Sequence, residues 1–170
     1  TANIDKNSHG EEIKETSLDT LISENIIFKK TNIIKIDTDG FDFDVIKGAS
    51  RIIANNKPMV LFELFTINNK KYSEELKNII NLFKGNGYSS TLIYDNLGNF
   101  MGKYDLNNIF SIYKLIFYQL TRNYFFCYDF LMISDDDFNR FYSSEMDFFI
   151  ENSNDSVLRF NAEHIKKELK

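Results

Sequence analysis

Ile33-Ile34-Lys35-Ile36-Asp37-Thr38-Asp39-Gly40-Phe41-Asp42-Phe43-Asp44-Val45-Ile46-Lys47-Gly48-Ala49 decides the fold of this 170-residue chain. From Asn32 to Asp37 the stretch is β-branched and almost continuously apolar, the pattern of a strand covered on both faces and hence of a central parallel strand. Asp39-Gly40 then turns the chain. Beyond it Val45, Ile46, Ala49, Ile52 and Ile53 form one apolar stripe at helical spacing, on a helix that starts near Asp42 with Asp42 as its N-cap. Gly48 inside that stripe costs roughly 1 kcal/mol relative to Ala. It marks either a close approach of a neighbouring backbone or an early break in the helix.

Working outward, Lys57-Pro58 stops the helix, and Met59 to Phe65 reads as a second buried strand with Glu63 near its end. Strand, helix, strand is the unit that joins two parallel strands by a right-handed crossover. Leu76, Ile79, Ile80 and Phe83 share one face of a helix over Ser73–Lys84, ended by Gly85-Asn86-Gly87. Tyr88–Tyr94 and Phe100–Tyr104 flank the turn-rich Asp95-Asn96-Leu97-Gly98-Asn99, which predicts a hairpin. Cys127–Ile133 reads as a last strand, and Ser134-Asp135-Asp136-Asp137 as the cap of a helix over Phe138–Ile150. Val157–Lys170 predicts a charged, solvated helix. On the other side of the deciding stretch, Ser17 caps a short helical turn carrying Leu18, Leu21 and Ile22.

The composition fits a packed globular domain: 43% hydrophobic residues, with 17 Phe and 9 Tyr filling the core in place of Trp, which is absent. A formal charge of −5 argues against nucleic acid as a partner, because phosphate contacts need a concentrated basic surface. The single cysteine, Cys127, allows no internal disulfide, which points to a reducing, cytoplasmic setting. No apolar run reaches the roughly 18–20 residues of a membrane span. The nearest, Ile109–Leu120, is broken by Ser111, Lys114 and Gln119. It reads as a core or partner-facing helix, with a helix lying in a membrane interface as the alternative. The chain opens Thr1-Ala2-Asn3-Ile4 and is polar and aperiodic to Glu15, as expected of a piece of something longer.

In open α/β sheets ligands bind beyond the carboxyl ends of the strands, where this reading places Asp37, Asp39 and Glu63. A carboxylate ending a strand of isoleucines asks for a donor, a ligand or water. The plainer reading makes Asp37 or Asp39 a helix cap or turn former. An EF-hand fits poorly, since its glycine belongs at loop position 6 and a helix should precede it. Asp37-Thr38-Asp39 also matches the Asp-x-Asp with which metal-dependent glycosyltransferases hold a nucleotide-sugar. His9 and His164 are isolated and read as surface residues.

A third pattern covers more residues. Ile33 to Ala49, followed by Lys57-Pro58-Met59-Val60-Leu61-Phe62-Glu63, resembles the FkbM family of methyltransferases. That family's pattern is an apolar strand, Lys-x-Asp-x-Glu-Gly, a helix ending in Leu-Lys-Gly-Ala and a strand ending in Glu. Ser17-Leu18-Asp19-Thr20-Leu21 resembles its Thr-Leu-Asp-x-Leu element, and Gly87-Tyr88 and Asp95-x-x-Gly98 its later strands. Asp39 stands where the family usually has Glu, and the family's glycine-rich first loop has no counterpart.

The resemblance implies a partial Rossmann-like methyltransferase fold, a mostly parallel sheet flanked by helices with an antiparallel strand near the C-terminus. Residues 1–134 would form the C-terminal part of that domain and 135–170 a helical extension. The implied cofactor is S-adenosylmethionine, and the implied reaction is methyl transfer to a hydroxyl of a sugar or other small molecule, as in polysaccharide biosynthesis. Asp37 would be the base or hydrogen-bond acceptor near the methyl group, with Gly40 beside it at the cofactor. Asp39 would order the turn or touch substrate, and Glu63 would accept hydrogen bonds from substrate hydroxyls. Ile109–Phe126 would shape the acceptor pocket. Without the upstream half, strand Ile33–Asp37 would be an exposed edge inviting self-association, or the chain a non-catalytic fragment.

Overall fold

The apolar run at Ile33 does form a strand, but at the edge of the sheet. A computed structural model describes residues 16–24, 30–64, 70–122 and 127–168. Along the chain it gives α1 (Leu18–Glu24), β1 (Ile33–Ile36), α2 (Asp42–Lys47), α3 (Ser50–Asn56), β2 (Met59–Leu64) and α4 (Tyr72–Gly85). There follow β3 (Ser90–Asp95), β4 (Phe100–Asp105), α5 (Ile109–Leu120), β5 (Tyr128–Ile133), α6 (Asp135–Asn152) and α7 (Ser156–Glu168). Five strands make one sheet in the order β1-β2-β5-β3-β4. Expectations that touched residues 1–15, Phe65, residues 123–126 or residues 169–170 lie outside the described residues.

The crossover from β1 to β2 is parallel, in register from Ile33 opposite Met59 to Ile36 opposite Phe62. The expectation of a mostly parallel sheet is wrong, because β2–β5, β5–β3 and β3–β4 all pair antiparallel. Alternating apolar residues fix which face of a strand is buried and say nothing about its direction. β1, β2 and β3 therefore point one way, while β5, inserted between β2 and β3, and the outer strand β4 point the other. The central placement of β1 is also corrected. Ile34 and Ile36 are buried, but Ile33 is 62% exposed on the opposite face. Three isoleucines in four residues mimic a doubly covered strand although one face is open.

The helix expected from Asp42 through Ile53 is two helices. Gly48 ends α2, and the turn of α1 explains the break: the Asp19 N–H donates to the Gly48 carbonyl at 2.9 Å. The Asp19 carboxylate then accepts the N–H groups of Arg51 and Ile52 at 2.9 and 3.0 Å, so α3 starts afresh on a cap supplied from 32 and 33 residues earlier in the chain. Both readings of Gly48 hold, the break and the close backbone contact. Asp42 is the first helical residue of α2 and not its cap, and Phe41 occupies the cap position without a side-chain bond. Ser17 does cap α1, accepting from the Thr20 N–H at 3.2 Å. Ser134 precedes α6 but its side chain makes no cap bond.

Period-two alternation sorts β2 and β5 between two cores. Val60, Phe62, Leu64, Tyr128, Phe130 and Met132 face the main core under α2 to α5, where the Phe62 ring stacks on Phe83 at 6.3 Å. Leu92, Leu131 and Ile133 face a smaller core closed by Phe138 of α6. α6 covers the β3–β5 side of that second face, which leaves Ile33 and Lys35 of β1 outside its shelter. The hairpin of β3 and β4 forms as expected, around Asp95, whose carboxylate accepts from the Leu97 and Asn99 N–H groups and the Asn99 amide. No helix among the described residues is long and apolar enough to cross a membrane.

Candidate functional site

The rim at the carboxyl ends of β1 and β2 gathers the acidic residues singled out by the sequence. Asp37 is the first residue past β1, and its carboxylate, 62% exposed, pairs with Lys35 Nζ at 3.2 Å. The chain then turns sharply, with Asp39 at φ 49° and Gly40 at φ 102°. A Cβ at Gly40 would meet nothing within 4 Å, so the backbone angle and not crowding asks for glycine there. Asp39 is exposed on this turn. Asp42, by contrast, is buried, with one oxygen accepting from the Thr38 hydroxyl at 3.1 Å and the other without a hydrogen-bond partner.

Glu63 follows Phe62, the register partner of Ile36, so it lies beside Asp37 at the same rim. The antiparallel strand β5 adds residues that the sequence reading missed. Asp129 is the register partner of Glu63, and Cys127, just before β5, lies close enough to Glu63 to feel its carboxylate. Burial, then repulsion from Glu63, raises the pKa of Asp129, with Lys35 working in the opposite direction. Burial, then the nearby Glu63 carboxylate, pushes the Cys127 thiol up to about 12, which keeps it protonated at neutral pH. Across β5, Asp129 is also opposite Tyr94, beside Asp95. Hydrogen bonding to Asn99 holds the Asp95 carboxyl below its ordinary range.

Asp129 was hard to find because a single acid inside the apolar run Cys127–Ile133 gains meaning only once antiparallel pairing sets it against Glu63. The rim so built can hold a cationic group, accept hydrogen bonds from hydroxyls and take up a proton. Among the described residues no group of three or more His, Cys, Asp or Glu side chains is arranged to hold a metal ion.

The comparison with known families meets this geometry directly, since the family model described as the methyltransferase FkbM domain matches residues 1–90. The chain belongs to the FkbM methyltransferase family. The FkbM match takes in β1, β2 and the whole crossover, with Asp37, Asp39, Gly40 and Glu63, and ends at the first residue of β3. Asp129 and Cys127 lie beyond it. No curated protein and no solved structure matches the chain.

Proposed function

We propose that this FkbM domain takes part in S-adenosylmethionine-dependent transfer of a methyl group to a hydroxyl of a sugar or other small molecule. The observation that carries the reading is the parallel pairing of β1 with β2, which sets Asp37 and Glu63 side by side beyond the strand ends. The sheet supports it as part of a Rossmann-like methyltransferase domain, with three strands running one way and a reversed strand near the C-terminus.

The donor set suits the cofactor, whose sulfonium and ammonium groups are cations and whose ribose hydroxyls are donors, while Asp37, Glu63 and Asp129 are acceptors. S-adenosylmethionine supplies a methyl group already activated on sulfur. The chain's residues need only align the hydroxyl, exclude water and receive its proton. Asp37 accepts that proton or hydrogen bond, and Lys35 keeps its carboxylate oriented at 3.2 Å. Gly40 lets the backbone turn toward the cofactor, Asp39 orders the turn at the substrate side, and Glu63 accepts from further substrate hydroxyls. The lone buried thiol of Cys127 suits a reducing compartment such as the cytoplasm.

Thermal shift separates this reading from nucleotide-sugar transfer. S-adenosylhomocysteine should raise the melting temperature of the full protein, and manganese with a nucleotide-sugar should not; the reverse pattern overturns the proposal. Asp37→Asn should lower methyl transfer at least about a hundredfold while shifting stability by under about 1 kcal/mol, since its ion pair is exposed. Equal activity in both forms removes Asp37 from the mechanism.

A second reading concerns partners. Ile33, 62% exposed on an edge strand, favours self-association of the chain along β1. Sedimentation should show a concentration-dependent dimer that Ile33→Lys weakens; a monomer at all concentrations would reject it.

A further inference from the structure

The outer face of α5 is unused by the core. Its inner face is fixed by buried Ile112, Ile116 and Gln119, the last donating from Nε2 to the Leu64 carbonyl at 2.9 Å. Phe110 and Phe117, seven residues and so about two turns apart, share the opposite stripe and are 73% and 70% exposed. Lys114 lies between them on that stripe and is exposed, and Leu120 flanks it at 62%. Two phenylalanines held in water on a rigid helix are costly unless something covers them.

Charge says what. The chain carries 25 Asp and Glu residues, yet none between Asp105 and Asp129, where the charged residues are Lys114 and Arg122. Arg122 lies over the Tyr118 ring at 4.8 Å, at the C-terminal end of the same helix. Arg122 is half-buried past the helix end, so Lys114 is the exposed cation of this stripe. An aromatic face with a lysine at its centre and no acid on its own helix matches an anionic surface in sign. A second copy is a worse fit: packing α5 antiparallel on itself about a two-fold axis brings Lys114 against Lys114, with no carboxylate on either helix to neutralise them. At 12 residues α5 is about 18 Å long, too short to span a bilayer but long enough to lie in its interface.

We propose that the outer face of α5 docks on an anionic phospholipid bilayer, with Phe110 and Phe117 at the acyl boundary and Lys114 reaching the headgroup phosphates. The docking is independent of the reaction proposed above. Co-sedimentation of the full chain with phosphatidylcholine vesicles, with or without about a quarter phosphatidylglycerol, tests it. The chain should pellet with the anionic vesicles, less with the neutral ones, and less as salt rises. Phe110→Ser with Phe117→Ser should weaken binding about tenfold or more. Lys114→Glu should abolish the preference for phosphatidylglycerol and leave the weak binding to phosphatidylcholine. Circular dichroism of all variants should match the parent, since the three side chains are exposed. The proposal is overturned if the chain stays in the supernatant with both vesicle types, or if the double substitution leaves binding unchanged. It is equally overturned if the parent is a dimer that the double substitution makes monomeric, because the stripe then belongs to a second copy.

Discussion

Glu63 and Asp129 stand directly opposite each other across the β2–β5 pairing, two like charges in a position where opposite charges would be favourable. The Cys127 thiol and the neighbouring Asp129 both feel the Glu63 carboxylate. A rim that keeps such a pair close for a packed fold has it available for a ligand that brings positive charge or hydrogen-bond donors.

Asp129→Asn should therefore stabilise the domain at neutral pH. The pKa of Asp129 is raised in the fold, by burial first and Glu63 second, so its ionisation opposes folding. Below the unfolded-state pKa the group is protonated in both states and costs nothing. The penalty grows as pH rises through the folded pKa and is then constant. The expected gain at pH 7 is roughly 0.5 kcal/mol, or about 1–2 °C in melting temperature for a domain of this size. Thermal melts should show the gain at pH 7 and none at pH 3; an equal gain at both would refute the electrostatic origin.

Asp19→Ala should be among the more damaging single changes outside the apolar core. Its carboxylate satisfies the Arg51 and Ile52 N–H groups at the start of α3. Removing it leaves a buried helix start uncapped, at a cost of roughly 1–3 kcal/mol. Asp19→Asn keeps an acceptor oxygen and should lose less. Urea unfolding measures both; a cost under about 0.5 kcal/mol for Asp19→Ala would mean that water replaces the cap.

That cap also shows how far the sequence could be read. Apolar spacing placed α4, α5 and both strands of the crossover within a residue or two, because one-sided burial writes its period into the chain. It could not separate α2 from α3, since Val45, Ile46, Ala49, Ile52 and Ile53 keep a helical spacing across the break while the cause sits at Asp19. The apolar pattern alone made β1 look central, because Ile33 is an apolar residue on an uncovered face; its edge position had been expected only from the resemblance, for the strand without an upstream neighbour. At the rim, Asp37, Asp39, Gly40 and Glu63 are contiguous with a recognisable pattern, whereas Asp129 and Cys127 depend on strand direction, which no local pattern encodes. The unpartnered oxygen of Asp42 was invisible for a similar reason: a residue at the start of a helix looks like a cap until its burial is known.

Gly40→Ala should destabilise without any clash. The backbone there has φ 102°, outside the range that L-residues adopt readily, and an added Cβ would meet only open space. The expected cost is about 1–2 kcal/mol of backbone strain. The preceding Asp39, already at φ 49°, limits how far the turn can readjust. Denaturant unfolding should show the loss; a neutral result would mean that the turn relaxes into another conformation.

Cys127 reports on the rim without any substrate. Its thiol is pushed up to about 12, chiefly by burial and next by the Glu63 carboxylate, so at pH 9 only about a thousandth is thiolate and alkylation is slow. Glu63→Gln removes the charge that opposes thiolate formation but not the burial. The pKa should fall and yet stay above the ordinary thiol value of 9.0. Iodoacetamide at pH 9 should then modify Cys127 roughly three to ten times faster than in the parent, while the urea-unfolded chains of both react at one common, much higher rate. If Glu63→Gln leaves the folded rate unchanged, the Glu63 carboxylate does not act on the thiol, and the arrangement of β2 against β5 at the rim is wrong.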